Sequence, residues 1–258
     1  MTKPARLYLI HQYSRDIPVP SGSILMSTGC YLVQTDDGRN ILIDSGMPAD
    51  ADGSDPPTEK SADILAQLGD LGVQPDDVAV VICTHFDIDH VGHHEHFINA
   101  EHIVQREQYE VAVSGAERFA NCRSHWDAPG TQRRLVDGDM ELMPGLMLVE
   151  TSGHAPGHQS VLVTLPGTGP VLVAGDAVSL ERQFSVDRQR GLMRTPTGFE
   201  QARASCSTSY SPRRSHSPCS TTTESNGKSC GVRLKRMSDR LTKPIRNREA
   251  LTAGPSLA

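Results

Sequence analysis

The run Val78-Ala79-Val80-Val81-Ile82-Cys83 leads directly into Thr84-His85-Phe86-Asp87-Ile88-Asp89-His90. A continuous apolar run of this length reads as a strand buried on both faces. Four side chains able to ligate a metal then fall within six residues of its end. Such groups are buried only at a large cost unless they are partnered, so the segment calls for a site at the mouth of the strand. In extended backbone alternate residues share a face, so His85, Asp87 and Asp89 are expected to converge. His90 is expected to turn toward a second ion as the chain enters a helix. Nine of the eleven histidines lie between His85 and His158, and clustered His with Asp is a metal signal where scattered His is not.

The flanking sequence supplies a scaffold rich in strands. Residues 5–11 read as a first strand. Gly29 to Val33 and Asn40 to Ile43 flank the turn sequence Asp36-Asp37-Gly38, a β-hairpin pattern. Ala62, Ile64, Leu65, Leu68 and Leu71 follow helical spacing over Thr58 to Leu71, with Thr58 placed to cap the start. Further strands are expected at Glu101–Gln105, Gly145–Glu150, Ser160–Leu165 and Pro170–Ala174, and a helix at Arg106–Val113. His93, His94 and His96 are placed on the helix after the metal loop, facing solvent or supporting the ligands. Trp126 is read as a packing residue, with lining of a substrate entrance as the alternative. Strands interleaved with helices, with polar motifs at strand ends, fit a sheet sandwich flanked by helices, an α/β (α+β) fold.

Composition sets the remaining bounds. The chain has 258 residues, 37% of them hydrophobic, and a net charge of -6, which suits one large domain or a domain with an appendage. No apolar stretch approaches the ~20 residues of a membrane span. Met1-Thr2-Lys3-Pro4 lacks the layout of a signal peptide, so a cytoplasmic protein is expected. Cys30, Cys83, Cys122, Cys206, Cys219 and Cys230 form no close pair and read as free thiols. Charge is uneven: residues 203–258 hold 11 Lys+Arg against 3 Asp+Glu, and residues 1–202 hold 14 against 28. The expected division is therefore a domain over 1–202 and a basic Ser/Thr/Pro/Arg-rich tail over 203–258. The tail is too poor in apolar residues to order itself, apart from a short helix near Gly231 to Leu241. Its charge would attract phosphates, but it lacks stacking aromatics beyond Tyr210 and any nucleic-acid motif, so no nucleic-acid partner is expected.

Four separated motifs now carry a resemblance. The His85 segment is followed by Thr151-Ser152-Gly153-His154-Ala155-Pro156-Gly157-His158, by Ala174-Gly175-Asp176-Ala177, and preceded by Leu42-Ile43-Asp44-Ser45-Gly46. In order and spacing these resemble the metallo-β-lactamase superfamily. The stretches Arg6-Leu7-Tyr8-Leu9, Thr35 to Gly46 and Gln105-Arg106-Glu107-Gln108-Tyr109 are most similar to its N-acyl-homoserine lactonase group. The resemblance implies an αββα sandwich and two divalent metal ions, with zinc suiting the donors best and iron or manganese as alternatives. It implies that His85 and His154 bind the first ion, that Asp89 and His90 bind the second, and that Asp176 bridges them. Asp44 would support the site from behind the ligands. The implied chemistry is opening of a small-molecule lactone by a hydroxide held at the metals, with Asp89 passing a proton to the leaving oxygen.

Three departures accompany the resemblance. Asp87 stands where the family carries a second His, and is read as a carboxylate ligand in its place. Ser179 stands where some lactonases carry a Tyr that orients the carbonyl. The closing strand–helix unit and its final His ligand are not visible; His216, in Arg213-Arg214-Ser215-His216-Ser217-Pro218, has no strand before it. The tail reads as the product of a shifted frame. Cys206 to Cys230, re-read one base earlier with G/C-leaning codons, allows a helix-like start, an apolar strand and a His within Asp-His-Asp-Gly, straddling Thr221 and Thr222. On that reading the chain lacks one ligand and a core strand, and would bind metal weakly and open lactones slowly. Two other readings stay open: a thioester or ester hydrolase of the same fold, glyoxalase-II-like, and an inactive remnant with an incomplete metal site.

Overall fold

The structure is a computed structural model, and it describes residues 1–20, 22–48 and 62–178. Two long strands open the chain, β1 (Pro4–Val19) and β2 (Gly22–Thr35), paired antiparallel in the register Leu7↔Val33 and Ile10↔Cys30. β1 extends well past the seven residues expected from sequence. Beyond His11 the partners are polar or half-exposed, so the distal part of the hairpin has no apolar signature to mark it as strand. β3 (Asn40–Ile43) pairs antiparallel with β2 across the Asp36-Asp37-Gly38 turn. β4 (Val78–Ile82), β5 (Glu101–Gln105) and β6 (Gln132–Val136) then add in parallel, completing a six-stranded sheet in the order β1-β2-β3-β4-β5-β6. A second, antiparallel sheet holds β7 (Met140–Met143), β8 (Leu146–Glu150), β9 (Gln159–Leu165) and β10 (Gly169–Val173), in the order β10-β9-β8-β7. β6 and β7 were not anticipated; their half-exposed, charged positions hide the period of two.

Alternation along these strands divides the interior in two. Leu7, Val33, Ile41, Ile43, Ile82 and Ile103 of the first sheet meet Leu146, Leu148, Val161, Val163 and Val173 of the second. Each such burial contributes about 1.5–3 kcal/mol relative to exposure. The opposite face of the first sheet, through Cys30, Leu32, Leu42 and Val81, is covered by Ile64 and Leu68 and by Phe97. The first two come from helix α1 (Ile64–Asp70). Asp63, not Thr58, caps α1: its carboxylate accepts from the backbone N–H groups of Leu65 and Ala66, and Thr58 lies outside the described residues. α2 (Ile88–Val91), α3 (Arg106–Val113) and α4 (Arg123–Trp126) gather a third apolar cluster, in which Phe86 stacks on Trp126 at 4.5 Å.

The result is the mixed α+β sheet sandwich expected. Cys30, Cys83 and Cys122 are buried free thiols. The tail 203–258, the Gly231–Leu241 helix, Ser179, His216 and the closing strand–helix unit all lie outside the described residues. No helix among the described residues is long and apolar enough to cross a membrane.

Candidate metal centre

Asp44 follows β3 in the left-handed region, at φ 60, where a non-glycine residue carries about 1–3 kcal/mol of strain. Its buried carboxylate explains why that conformation persists. One oxygen accepts from the Thr84 backbone N–H at 2.7 Å; the other accepts from the Thr84 hydroxyl at 2.7 Å and from His90 Nδ1 at 2.8 Å. Hydrogen bonds to a charged acceptor contribute about 1.5–3 kcal/mol each, enough to offset the strain. The same loop is tied to α2 through the backbone, Ser45 N to His90 O and Gly92 N to Gly46 O, both 2.7 Å. The approach is so close that a Cβ on Gly92 would lie 2.1 Å from the Pro48 nitrogen.

These bonds also set the imidazole tautomers. The Thr84 hydroxyl proton is committed to Asp44, so its oxygen accepts from His85 Nδ1 at 3.1 Å. His90 Nδ1 donates to Asp44. In both rings Nε2 is left facing the site, the arrangement that hydrogen bonding from behind gives to metal-binding histidines. His85 is fully buried; burial and the neighbouring His90 lower its pKa, which keeps the ring a neutral donor. Burial opposes charge on His90 too, but Asp44, with Asp89 and Asp176, overcomes it and pushes the pKa up to about 10 in the absence of metal.

Two overlapping groups of donors result. Ligand atoms of His85, Asp87 and His154 lie within 4.8 Å of one another, as do those of His85, His90 and Asp176. Asp176 directs one oxygen toward each group, 3.7 Å from His90 Nε2 and 3.3 Å from His154 Nε2. The structure thus brings together five of the six expected ligands. Asp89 stands apart from both tight groups, with its carboxylate 3.8 Å from His90 Nε2. The alternation expected to align it with His85 and Asp87 ends because the backbone turns helical at Ile88. Asp44 lies behind His90, bonded to its Nδ1. Of the histidines expected to face solvent or support the ligands, His96 is exposed, while His93 and His94 are buried: His94 lies in a short 3-10 turn, His94–Phe97, and its Nδ1 meets the Ser45 hydroxyl at 2.7 Å.

Three residues with a part here were not singled out from sequence. Gln159, at the start of β9, donates from its side chain to the Cys83 carbonyl and from its backbone to the Thr84 carbonyl, stitching the second sheet to the metal loop. His158 is buried with Nδ1 2.8 Å from the Thr151 hydroxyl. Its Nε2 accepts from the Asp176 backbone N–H at 3.2 Å, so it orients Asp176. Gly175 makes room for that ring, since a Cβ there would sit 2.9 Å from His158 Nε2. Arg118 is the third. Its Nε donates to Asp87 Oδ1 at 2.7 Å, Nη2 pairs with Asp87 Oδ2, Nη2 lies 2.8 Å from His154 Nε2, and Nη1 donates to the His154 carbonyl. Burial works to raise the Asp87 pKa, but the paired Arg118 guanidinium outweighs it and holds the carboxyl well below the usual carboxylate range. The only advance signal for Arg118 was Asp87 itself, a carboxylate where an imidazole was expected, which needs a compensating cation.

Imidazoles and ionised carboxylates, oriented inward by bonds from behind, fit a borderline divalent cation once His90 gives up its proton. A sheet sandwich presenting such donors at its strand ends is the framework of a metallo-hydrolase. The chain belongs to the metallo-beta-lactamase superfamily, whose family profile matches residues 25–208. It is 32% identical over 192 residues to an N-acyl homoserine lactonase of Bacillus sp, an alignment covering 69% of this chain and 75% of the relative. It is 40% identical over 122 residues to an N-acyl homoserine lactonase of Azorhizobium caulinodans, covering 44% and 46%. The fold superposes on the crystal structure of a quorum-quenching N-acyl homoserine lactone lactonase with a TM-score of 0.69 and 27% identity, covering 80% of this chain and 89% of the other.

Proposed function

We propose that this chain opens the lactone ring of N-acyl homoserine lactones with a divalent cation held at the ends of β3, β4, β8 and β10. The observation that carries the reading is the convergence of His85, His90 and Asp176, with Asp87 and His154 alongside, in a chain whose relatives are lactonases. Zinc is the ion this donor set favours. When bound it supplies a Lewis acid for the lactone carbonyl and water activation near neutral pH.

The chain's own groups do the rest. His90 is held by Asp44 and His85 by Thr84, so neither ring needs to reorient when a cation enters. Asp176 is aimed by the His158–Thr151 pair. Asp89 is partly exposed beside His90, placed to carry the proton that the departing alkoxide oxygen needs.

The test is a substrate panel on the purified full chain, with proton release from N-acyl homoserine lactones measured beside thiol release from a thioester. Lactone opening that stops with chelator and returns with zinc supports the reading. Thioester cleavage that outpaces lactone opening would reassign the substrate class, and no metal-dependent turnover of either would overturn the proposal.

A further inference from the structure

We propose that Arg118 occupies the position of the first metal ion, so that this chain takes up a single divalent cation at His90 and Asp176, with the guanidinium as its built-in second cation. The inference rests on the metal-site reading above and refines it: two ions are expected of the motif, and one position is already filled.

The geometry is specific. A cation at the first group would draw on lone pairs of His85 Nε2, Asp87 and His154 Nε2. Arg118 engages both oxygens of Asp87 through Nε and Nη2 and places Nη2 against His154 Nε2. Two of the three donors are therefore spoken for by one planar fork, the geometry in which Arg–carboxylate pairs are strongest. Nη1 on the His154 carbonyl and the stacking of the guanidinium over Phe119 at 5.6 Å hold the fork in place. Charge gives the same answer. Asp87 adds a negative charge that a neutral imidazole would not, and Arg118 cancels it. An incoming ion would have to displace a guanidinium already paired with the half-buried Asp87 carboxylate rather than enter a prepared cage. At the second group, His85, His90 and Asp176, no Lys or Arg is paired with the donors among the described residues: His90 Nε2 lies 3.8 Å from Asp89 and 3.7 Å from Asp176.

Cobalt(II) titration followed by its visible absorption, with metal content counted by elemental mass spectrometry, separates the alternatives. The wild-type chain is expected to saturate at one equivalent. Arg118→Gln is expected to saturate at two, and so is Arg118→Met, which keeps the apolar stem over Phe119 should the glutamine variant fold poorly. Saturation of the wild type at two equivalents, or of both variants at one, would overturn the inference. Two equivalents in a wild type that still opens lactones would remove the role of Arg118 and leave the proposed function standing. No cobalt or zinc uptake by any form would sink both.

Discussion

The carboxylate of Asp44 lies 2.8 Å from Nδ1 of His90 although 46 residues separate them in the chain. That contact fixes the side of the imidazole that faces the site, and it is the reason Asp44 tolerates a left-handed backbone. Asp44→Asn keeps the shape but removes the charge and offers a misplaced N–H to His90 or Thr84. Metal affinity is expected to fall about 10–100-fold, the usual loss when a ligand's supporting carboxylate is changed. Competition against a chromophoric chelator measures it; an unchanged affinity would show that His90 needs no orienting partner.

The same pair predicts a pH dependence in the metal-free protein. The folded-state pKa of His90 is raised to about 10 from an ordinary 6.5. A raised pKa contributes stability that is fully present below the unfolded value and lost as pH rises through the folded one. Denaturant midpoints should therefore fall between pH 6.5 and 10, and Asp44→Asn should flatten that decline. Asp87, held low mainly against burial by Arg118, acts in the opposite sense: its contribution is present above the ordinary carboxylate pKa and is lost as acid reaches its depressed value.

Gly92 offers a purely steric test. Its Cβ would meet backbone atoms, the Pro48 nitrogen at 2.1 Å and the Met47 carbonyl carbon at 2.5 Å, so Gly92→Ala must part the Asp44 loop from α2. Overpacking of this kind costs about 1–3 kcal/mol or more, and here it also strains the His90–Asp44 contact. Thermal unfolding should register the loss and metal affinity should fall with it. A variant that is destabilised but binds metal normally would separate the loop junction from the site.

The chain has one tryptophan, Trp126, and it stacks on Phe86 between the candidate ligands His85 and Asp87 at an interplanar angle of 11°. Its emission should respond to metal binding at the neighbouring loop. Phe86→Ala should cost about 3–5 kcal/mol of stability, as large-to-small core changes do, and abolish that response. Emission insensitive to saturating zinc would mean that the loop does not move when loaded.

Much of this was legible because the physics is local. An apolar run such as Val78–Ile82 reads as a strand, though Ala79 proves exposed, and donors crowded at its end read as a site. The β2–β3 hairpin followed from its turn residues, and β5, α3, β8, β9 and β10 from their periodicity. What escaped is decided by tertiary neighbours. The distal β1–β2 hairpin leaves its apolar residues, Ile17, Ile24 and Leu25, half-exposed or exposed, and β6 carries Arg133 and Arg134 on a half-exposed edge, so neither shows a buried face. Burial of His94 depends on Ser45 from another loop. Arg118 reaches Asp87 across 31 residues with no motif around it. Asp89 lies beside His90 rather than beside His85 and Asp87 because α2 begins at Ile88, a turn that a strand-period argument does not contain.

The central claim is that these imidazoles and carboxylates hold a cation that opens lactones. The most direct measurement is the rate of N-acyl homoserine lactone opening by the purified full chain as zinc is titrated into the metal-depleted protein, alongside His90→Ala. The account predicts a rate that rises with bound zinc, saturates, and is absent in the variant. A rate that is the same with and without zinc, or unchanged in His90→Ala, would contradict it.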